Sequence, residues 1–185
     1  MINEQKSPKQ EDRFYNALGI ELGTGDPKIA ERAEKNPNGI KRTLVVKNGN
    51  KPIRECQIIL ENLQYHFGNE WIDPPNGYEQ KALRWLDEDN HLDGKRDISA
   101  DRSTFVEIAR LFRFPNPFFG IAYFDGGFGK THHFVGTYKL RLRIQGKVNK
   151  RKNLWDMEAV LYDVYLNYAG ARELEIIKIE GASAT

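Results

Sequence analysis

The stretch of sequence that decides the fold runs from residue 138 to residue 145 and reads YKLRLRIQ. Apolar and polar residues alternate strictly along it, and a period of two places the two sets of side chains on opposite faces of a β-strand. One face then packs on a core while the other meets water, as in an antiparallel sheet that is covered on one side. The stretch therefore predicts a half-buried strand.

Strand patterns flank this stretch on both sides. Residues 43–47 form a β-branched run that stops at the turn signal Asn48-Gly49-Asn50. Further strand candidates occupy residues 56–67, 160–168 and 174–179. With about six to eight such strands and no regular alternation with long helices, we expect a mainly-β protein, a two-sheet antiparallel β-sandwich.

Two segments fit both a helix and a strand. Residues 103–112 contain a capping-box pattern, Thr104 followed by Glu107, yet they fit a short strand almost as well. Residues 78–90 begin with apolar residues at helical spacing, and part of this segment also suits a short strand. The pattern leaves helix and strand open for both segments.

The first 40 residues differ from the rest in composition, since they are charged and poor in large apolar residues. Cap, proline and glycine signals frame one short helix over residues 7–19 and a second over residues 26–35. We therefore expect a weakly structured, partly helical N-terminal extension at residues 1–40 and a β-sandwich domain at residues 41–181.

Composition bounds the class of protein. The 185 residues carry a formal net charge of +2, with 39% hydrophobic and 29% charged residues, which suits one globular domain with its own core. The single cysteine, Cys56, excludes an internal disulfide and a multi-cysteine zinc site. Within a strand-like apolar run, this thiol is expected to be a small buried hydrophobe rather than a nucleophile.

We expect neither a membrane-spanning segment nor a secretory signal in this sequence. The longest apolar run, residues 118–124, is far shorter than the ~20 residues that cross a bilayer. The N-terminal residues mix both charge signs and lack the apolar core of a secretory signal. We expect a cytoplasmic protein without a transmembrane segment and without a cofactor, although a domain cut from a membrane-anchored protein would have the same composition.

Several short elements follow one another in an order that resembles a known kind of domain. They are Gly23-Thr24-Gly25-Asp26-Pro27, Leu44-Val45-Val46-Lys47-Asn48, residues 56–60, Leu83-Arg84-Trp85, Asp97-Ile98, residues 105–108 and residues 136–142. Over about residues 20–180 this order resembles uncharacterised prokaryotic β-sandwich domains of immunoglobulin-like or C2-like type. The resemblance implies a sandwich fold and supplies no catalytic residues. Such domains often sit beside a membrane anchor, whereas this chain shows no membrane helix.

Two motifs could bind a phosphate or a metal. Gly126-Gly127-Phe128-Gly129-Lys130-Thr131 resembles part of a phosphate-binding loop, but Phe124 replaces its first glycine and a β-pattern follows it, so a glycine-rich turn between strands is expected. An acidic loop places Asp89, Asp93 and Asp97 at calcium-ligand spacing. The last position of that loop is Ala100 instead of a bidentate glutamate, so a solvated acidic turn is the alternative to a calcium site.

The polar face of the strand that contains residues 138–145 is basic. We interpret it as a candidate anion-binding strip that could neutralise phosphates or anionic headgroups, and its members are Lys139, Arg141, Arg143 and Lys147. The alternative is a solvated strand whose cations pair with acids on the neighbouring strands.

Three large aromatic residues lie among turn-forming residues and are candidate partner-binding anchors: Trp71, Phe118 and Phe128. The alternative for Trp71 and Phe118 is that they plug the ends of the core, and Phe128 is the one expected to be exposed. We expect a non-catalytic binding module with a protein partner. The alternatives are a C2-like module for calcium or an anionic surface, including a polyanion, and an enzyme whose site is assembled from loops.

Overall fold

The computed structural model describes residues 14–25, 39–49, 51–86, 93–113, 116–170 and 173–183. The described residues form β-strands and no helix. The mainly-β prediction is thereby confirmed, whereas the partly helical N-terminal extension is not supported. Residues 14–18 of the first predicted helix form irregular backbone and a turn, and the second predicted helix lies outside the described residues.

The strands are, in chain order, β1 (Ile20–Thr24), β2 (Ile40–Asn48), β3 (Ile53–Phe67), β4 (Glu70–Ile72), β5 (Arg84–Trp85), β6 (Arg96–Ile98), β7 (Ser103–Phe112), β8 (Phe118–Ile121), β9 (Thr131–His132), β10 (Gly136–Arg151), β11 (Leu154–Tyr168) and β12 (Leu174–Ala182). Sheet A has the order β1-β2-β7-β8-β9, with β5 also paired to β7. Sheet B has the order β12-β11-β10-β3-β4, with β6 also paired to β3. All neighbouring strands are antiparallel, so the molecule is the predicted two-sheet antiparallel sandwich.

The core lies between the inner faces of the two sheets. In β10 the apolar set is fully buried, and it consists of Tyr138, Leu140, Leu142 and Ile144. The polar residues between them lie on the outer face of sheet B and remain partly or fully exposed. The alternation in the decisive stretch is therefore confirmed.

The two segments that fitted both a helix and a strand are extended where the structure describes them. Residues 103–112 are β7, which pairs with β2 on one side and with β8 on the other. Residues 78–86 contain the two-residue strand β5 and isolated bridges at Ala82 and Leu83. Residues 87–90 lie outside the described part of the chain.

β1 belongs to sheet A although it falls within the first 40 residues, since it pairs with β2 over all five of its residues. In the described part of the chain, no helix has the length and apolar character needed to cross a membrane.

The β10–β11 hairpin extends past the rest of sheet B. β3 pairs with β10 only as far as Val148, and β12 pairs with β11 only from Leu161 onward. Residues 149–155 therefore pair only with each other. We call residues 147–157 the hairpin end. The opposite end of sheet B, where β3 ends and β10 begins, is the aromatic end.

Candidate functional site

The aromatic end exposes three large apolar side chains. The exposed fractions are 54% for Phe134, 59% for Val135 and 67% for Phe67. Phe134 and Val135 lie in the short link between β9 and β10. Phe67 ends β3 two residues after Tyr65, so both side chains point to the same side of that strand. These three side chains define the apolar surface of the aromatic end.

Two tyrosines fix the backbone of this link. The Tyr138 hydroxyl donates a hydrogen bond to the Phe134 carbonyl oxygen at 2.7 Å, and the Tyr65 hydroxyl donates one to the Val135 carbonyl oxygen at 2.6 Å. The two tyrosines are direct cross-strand partners, and their ring centroids are 4.9 Å apart. Burial raises the pKa of Tyr138 well above its ordinary value of 10, so its hydroxyl remains a donor at neutral pH.

Phe118 and Phe128, two of the predicted anchors, lie on the outer face of sheet A and connect through Phe112. The ring of Phe112 stacks on Phe118 at 4.9 Å and meets Phe128 edge-on at 5.1 Å. Phe128 is half-buried because it folds back over Gly120, where an added Cβ would come within 2.7 Å of the Phe128 Cβ. Phe118 is also half-buried, and its ring lies 5.5 Å from that of His133, the residue before Phe134.

Trp71, the third predicted anchor, lies elsewhere. It sits in β4 on the outer face of sheet B, with its ring 4.8 Å from that of His66 and 5.8 Å from that of Tyr165. The Lys139 ammonium group lies over the indole, 4.7 Å from its centroid. The structure thus brings Phe118 and Phe128 onto one sheet and places Trp71 on the other.

The predicted anion-binding strip lies along the outer face of sheet B, and most of its cations face acids. Arg141 donates two hydrogen bonds to the Asp163 carboxylate, at 3.0 and 3.1 Å, and this pairing raises the pKa of Arg141. Arg143 lies 3.5 Å from a Glu61 oxygen, and Lys147 forms an ion pair with Glu55. The fourth member of the strip is the lysine that covers Trp71.

β-Bulges in β3 supply two of these acids. The pairing register shifts between Arg141 and Leu142, which makes Glu61 an extra residue of β3. A second shift lies between Gln145 and Lys147, next to Glu55, whose φ is 52°. A bulge changes the direction of the side chain that it contains. At both bulges, an acid of β3 thus lies beside a cation of β10 on the outer face of sheet B.

The acidic loop is described only in part. The carboxylate of Asp93 accepts a hydrogen bond from the Lys95 amide at 3.0 Å, and that of Asp97 accepts one from the Glu55 amide at 3.0 Å. Asp89 lies outside the described residues. Among the residues that are described, no three histidine, cysteine, aspartate or glutamate side chains converge as metal ligands. The glycine-rich motif follows β8, and residues Thr131–His132 form β9, so strand and not helix comes after it.

Sheet A contains buried ionisable groups that the sequence did not predict. On β7, the side chain of Glu107 is fully buried and accepts hydrogen bonds from the Arg110 guanidinium at 2.6 and 3.0 Å. On β9, His132 is buried between Phe119 and Tyr138, and neither of its ring nitrogens has a hydrogen-bond partner. Burial is the main cause, and the charge of His133 the smaller one, that together lower the pKa of His132 from 6.5 to about 4.

The lone thiol is also buried, and burial raises the pKa of Cys56 to about 12. A thiol with so high a pKa is protonated at neutral pH and is not a nucleophile. This matches the expectation of a small buried hydrophobe.

The exposed pair Phe134 and Val135 was missed by the sequence analysis. The available signal was two adjacent apolar residues directly before the alternating strand, because neighbours in extended backbone point in opposite directions and cannot both enter one core.

Comparison of the chain with protein-family models, with curated proteins and with solved structures gives no significant match.

Proposed function

We propose that the protein is a non-catalytic binding module that recognises a protein partner through its aromatic end. The observation that supports this proposal is the presentation of Phe67, Phe134 and Val135, each more than half exposed, at one end of the sandwich. Large apolar groups that are clustered and exposed are typical of interaction sites, and aromatic residues often dominate the binding energy there.

The hydrogen bonds that hold the backbone of residues 134 and 135 support the proposal. Ordering a loop on binding reduces affinity, because lost conformational freedom opposes association. The carbonyl groups of Phe134 and Val135 are already held by the hydroxyls of Tyr138 and Tyr65. The aromatic end is therefore preorganised, and little of the free energy of contact is lost to ordering this link.

The chemistry of the three side chains favours a protein over an anion. None of them carries a charge or a hydrogen-bond donor, so they match an apolar groove or an apolar helix face of another protein. Phe118, whose ring contacts that of His133, lies beside this surface and extends it toward sheet A.

Capture of partners from the cells that make the protein tests the proposal. The protein with an affinity tag is compared with Phe134→Ser and with Ile177→Ser, whose side chains are exposed to nearly the same extent, 54% and 53%. We expect capture of at least one protein to fall about tenfold, or about 1.4 kcal/mol, with Phe134→Ser and to stay unchanged with Ile177→Ser.

A photoreactive residue at position 135 should then cross-link to the same protein. Thermal melts of both variants check that folding is intact, as expected for exposed positions. Equal capture of the same proteins by all three forms, with no cross-link from position 135, contradicts the proposal.

A further inference from the structure

We infer that the hairpin end is a second binding surface, which docks on anionic lipid membranes. Two aliphatic side chains are exposed there, Leu154 at 49% and Met157 at 53%. Arg151 and Lys152 lie at the turn between β10 and β11, which we call the tip of the hairpin, and both are exposed. Exposed aliphatic groups beside basic groups match the two layers of a membrane surface, acyl chains below and anionic headgroups above.

The basic groups of the tip differ from those of the strip on β10. Within the described part of the chain, no acidic side chain forms an ion pair with Arg151 or Lys152, whereas Arg141, Arg143 and Lys147 each face a carboxylate. Cations that already have an acidic partner gain less from a headgroup. Three of the four cations of the strip are therefore already paired with acids, whereas the two cations at the turn of the hairpin remain available to an anionic surface.

The arrangement of the hairpin end suits contact with a surface. Residues 149–155 extend past β3 and β12, so the tip can reach a bilayer before the body of the sandwich does. Next to the tip, Trp155 lies under the Arg54 guanidinium, which is 4.0 Å from its ring centroid. A tryptophan beside an arginine at this level fits the boundary between headgroups and acyl chains, where tryptophan is enriched.

A nucleic acid is the other polyanion that basic residues bind, and the apolar side chains argue against it. Phosphate groups and base edges offer no surface that Leu154 and Met157 would cover, whereas acyl chains do. The face of Trp155 is already occupied by Arg54 and is not free to stack on a base. The aliphatic groups therefore distinguish the two partners.

Vesicle flotation with the full-length protein tests this inference. The probes are vesicles of phosphatidylcholine alone and vesicles of phosphatidylcholine and phosphatidylglycerol in equal parts. We expect binding to the anionic vesicles only. A tenfold or greater loss of binding is expected with Leu154→Ser/Met157→Ser, and a similar loss with Arg151→Gln/Lys152→Gln or with added salt.

Matched controls lie away from the hairpin end. Ile177→Ser removes an aliphatic side chain with the same exposed fraction as Met157, 53%, from β12. Arg113→Gln/Lys130→Gln removes two exposed cations from loops that flank β8 and β9. Both controls should bind the anionic vesicles as the wild type does, and circular dichroism should show that all variants are folded.

Three outcomes overturn the inference. They are no flotation of the wild type, equal losses with the hairpin variants and their controls, and retention on DNA that depends on Arg151 and Lys152 but not on Leu154 and Met157. The last outcome assigns the tip to a nucleic acid. Since this surface lies opposite the aromatic end, its failure leaves the proposed protein-binding function untouched.

Discussion

The outer faces of the two sheets carry the same types of charged residue in opposite environments. On sheet B the ion pair of Arg143 and Glu61 stays in water, with side-chain exposures of 46% and 39%. On sheet A the pair of Glu107 and Arg110 is almost entirely removed from water. The difference arises because loop residues cover sheet A. Phe128 lies over β8, and its ring is 5.0 Å from the Arg110 guanidinium.

This contrast determines how strongly the loss of one charge affects the stability of the fold. Exposed ion pairs gain little, because water already solvates both partners. A buried ion pair also adds little net stability, because the desolvation of both charges offsets their attraction. The loss of one partner, however, leaves a buried charge without solvent or counter-ion. Exposed charges of sheet B such as Arg143 and Glu61 are therefore replaceable one at a time, whereas Glu107 and Arg110 of sheet A depend on each other.

The largest expected effect is on the buried pair. Glu107→Ala should destabilise the fold by about 3–5 kcal/mol, because Arg110 then stays buried without a carboxylate. Glu107→Leu together with Arg110→Met should recover most of this loss. Urea denaturation measures both, with Glu61→Ala on sheet B as the control. Equal losses at Glu107 and Glu61 would show that the two outer faces do not differ as described.

A pH-dependent effect comes next and belongs to sheet A. Burial lowers the pKa of His132 to about 4, so below pH 6.5 the unfolded chain binds a proton that the folded protein does not. Stability is therefore complete above pH 6.5 and falls as the pH drops toward 4, by about 3 kcal/mol in total.

Urea denaturation at pH 7 and at pH 4.5 checks this expectation. His132→Phe should remove most of the pH dependence, whereas His133→Gln, at the exposed neighbouring position, should retain it. An unchanged slope in His132→Phe would assign the pH dependence to other groups.

The smallest expected effect concerns sheet B. Arg143→Gln should change the free energy of unfolding by less than about 0.5 kcal/mol, since both partners of its ion pair are partly solvated. Thermal denaturation at low and high salt measures this change. A loss of several kcal/mol would mean that the basic strip contributes to stability in the way that the buried pair of sheet A does.

The sequence predicts an element well where its outer face is wet. β10 has a solvated outer face, so its alternation identified it as a strand with the correct inward residues. β7 has a covered outer face, so its residues from Val106 to Leu111 are all buried and no period of two remains. Helix and strand were therefore indistinguishable for residues 103–112 until pairing with β2 and β8 decided between them.

β3 shows a second reason for lost periodicity. In its sequence, Cys56, Ile58 and Leu60 fall on one side of the alternation and Leu63 and Tyr65 on the other. The bulge at Glu61 inserts one residue between these groups, so all of them face the core in the structure. A pattern that changes phase is the mark of a bulge, but one strand read alone does not tell a bulge from a shift between faces.

The candidate sites were predicted less well than the fold, because they depend on tertiary contacts. The fold-back of Phe128 over Gly120 and the pinning of Phe134 and Val135 by two tyrosines join residues from different strands and loops. The ion pairs of Arg141 and Arg143 likewise require the register of β3, β10 and β11. No local spacing in the chain encodes these contacts.

The extension of the hairpin past its neighbours also has a consequence for motion. The strand pairing of residues 149–155 is confined to this segment, so these residues can separate without disturbing the pairs between β10 and β3. Amide hydrogens in this segment would exchange with solvent through local fraying, whereas those of Leu140 and Leu142 would exchange only through global unfolding. The tip can thus adapt its shape to a surface while the sandwich behind it stays rigid.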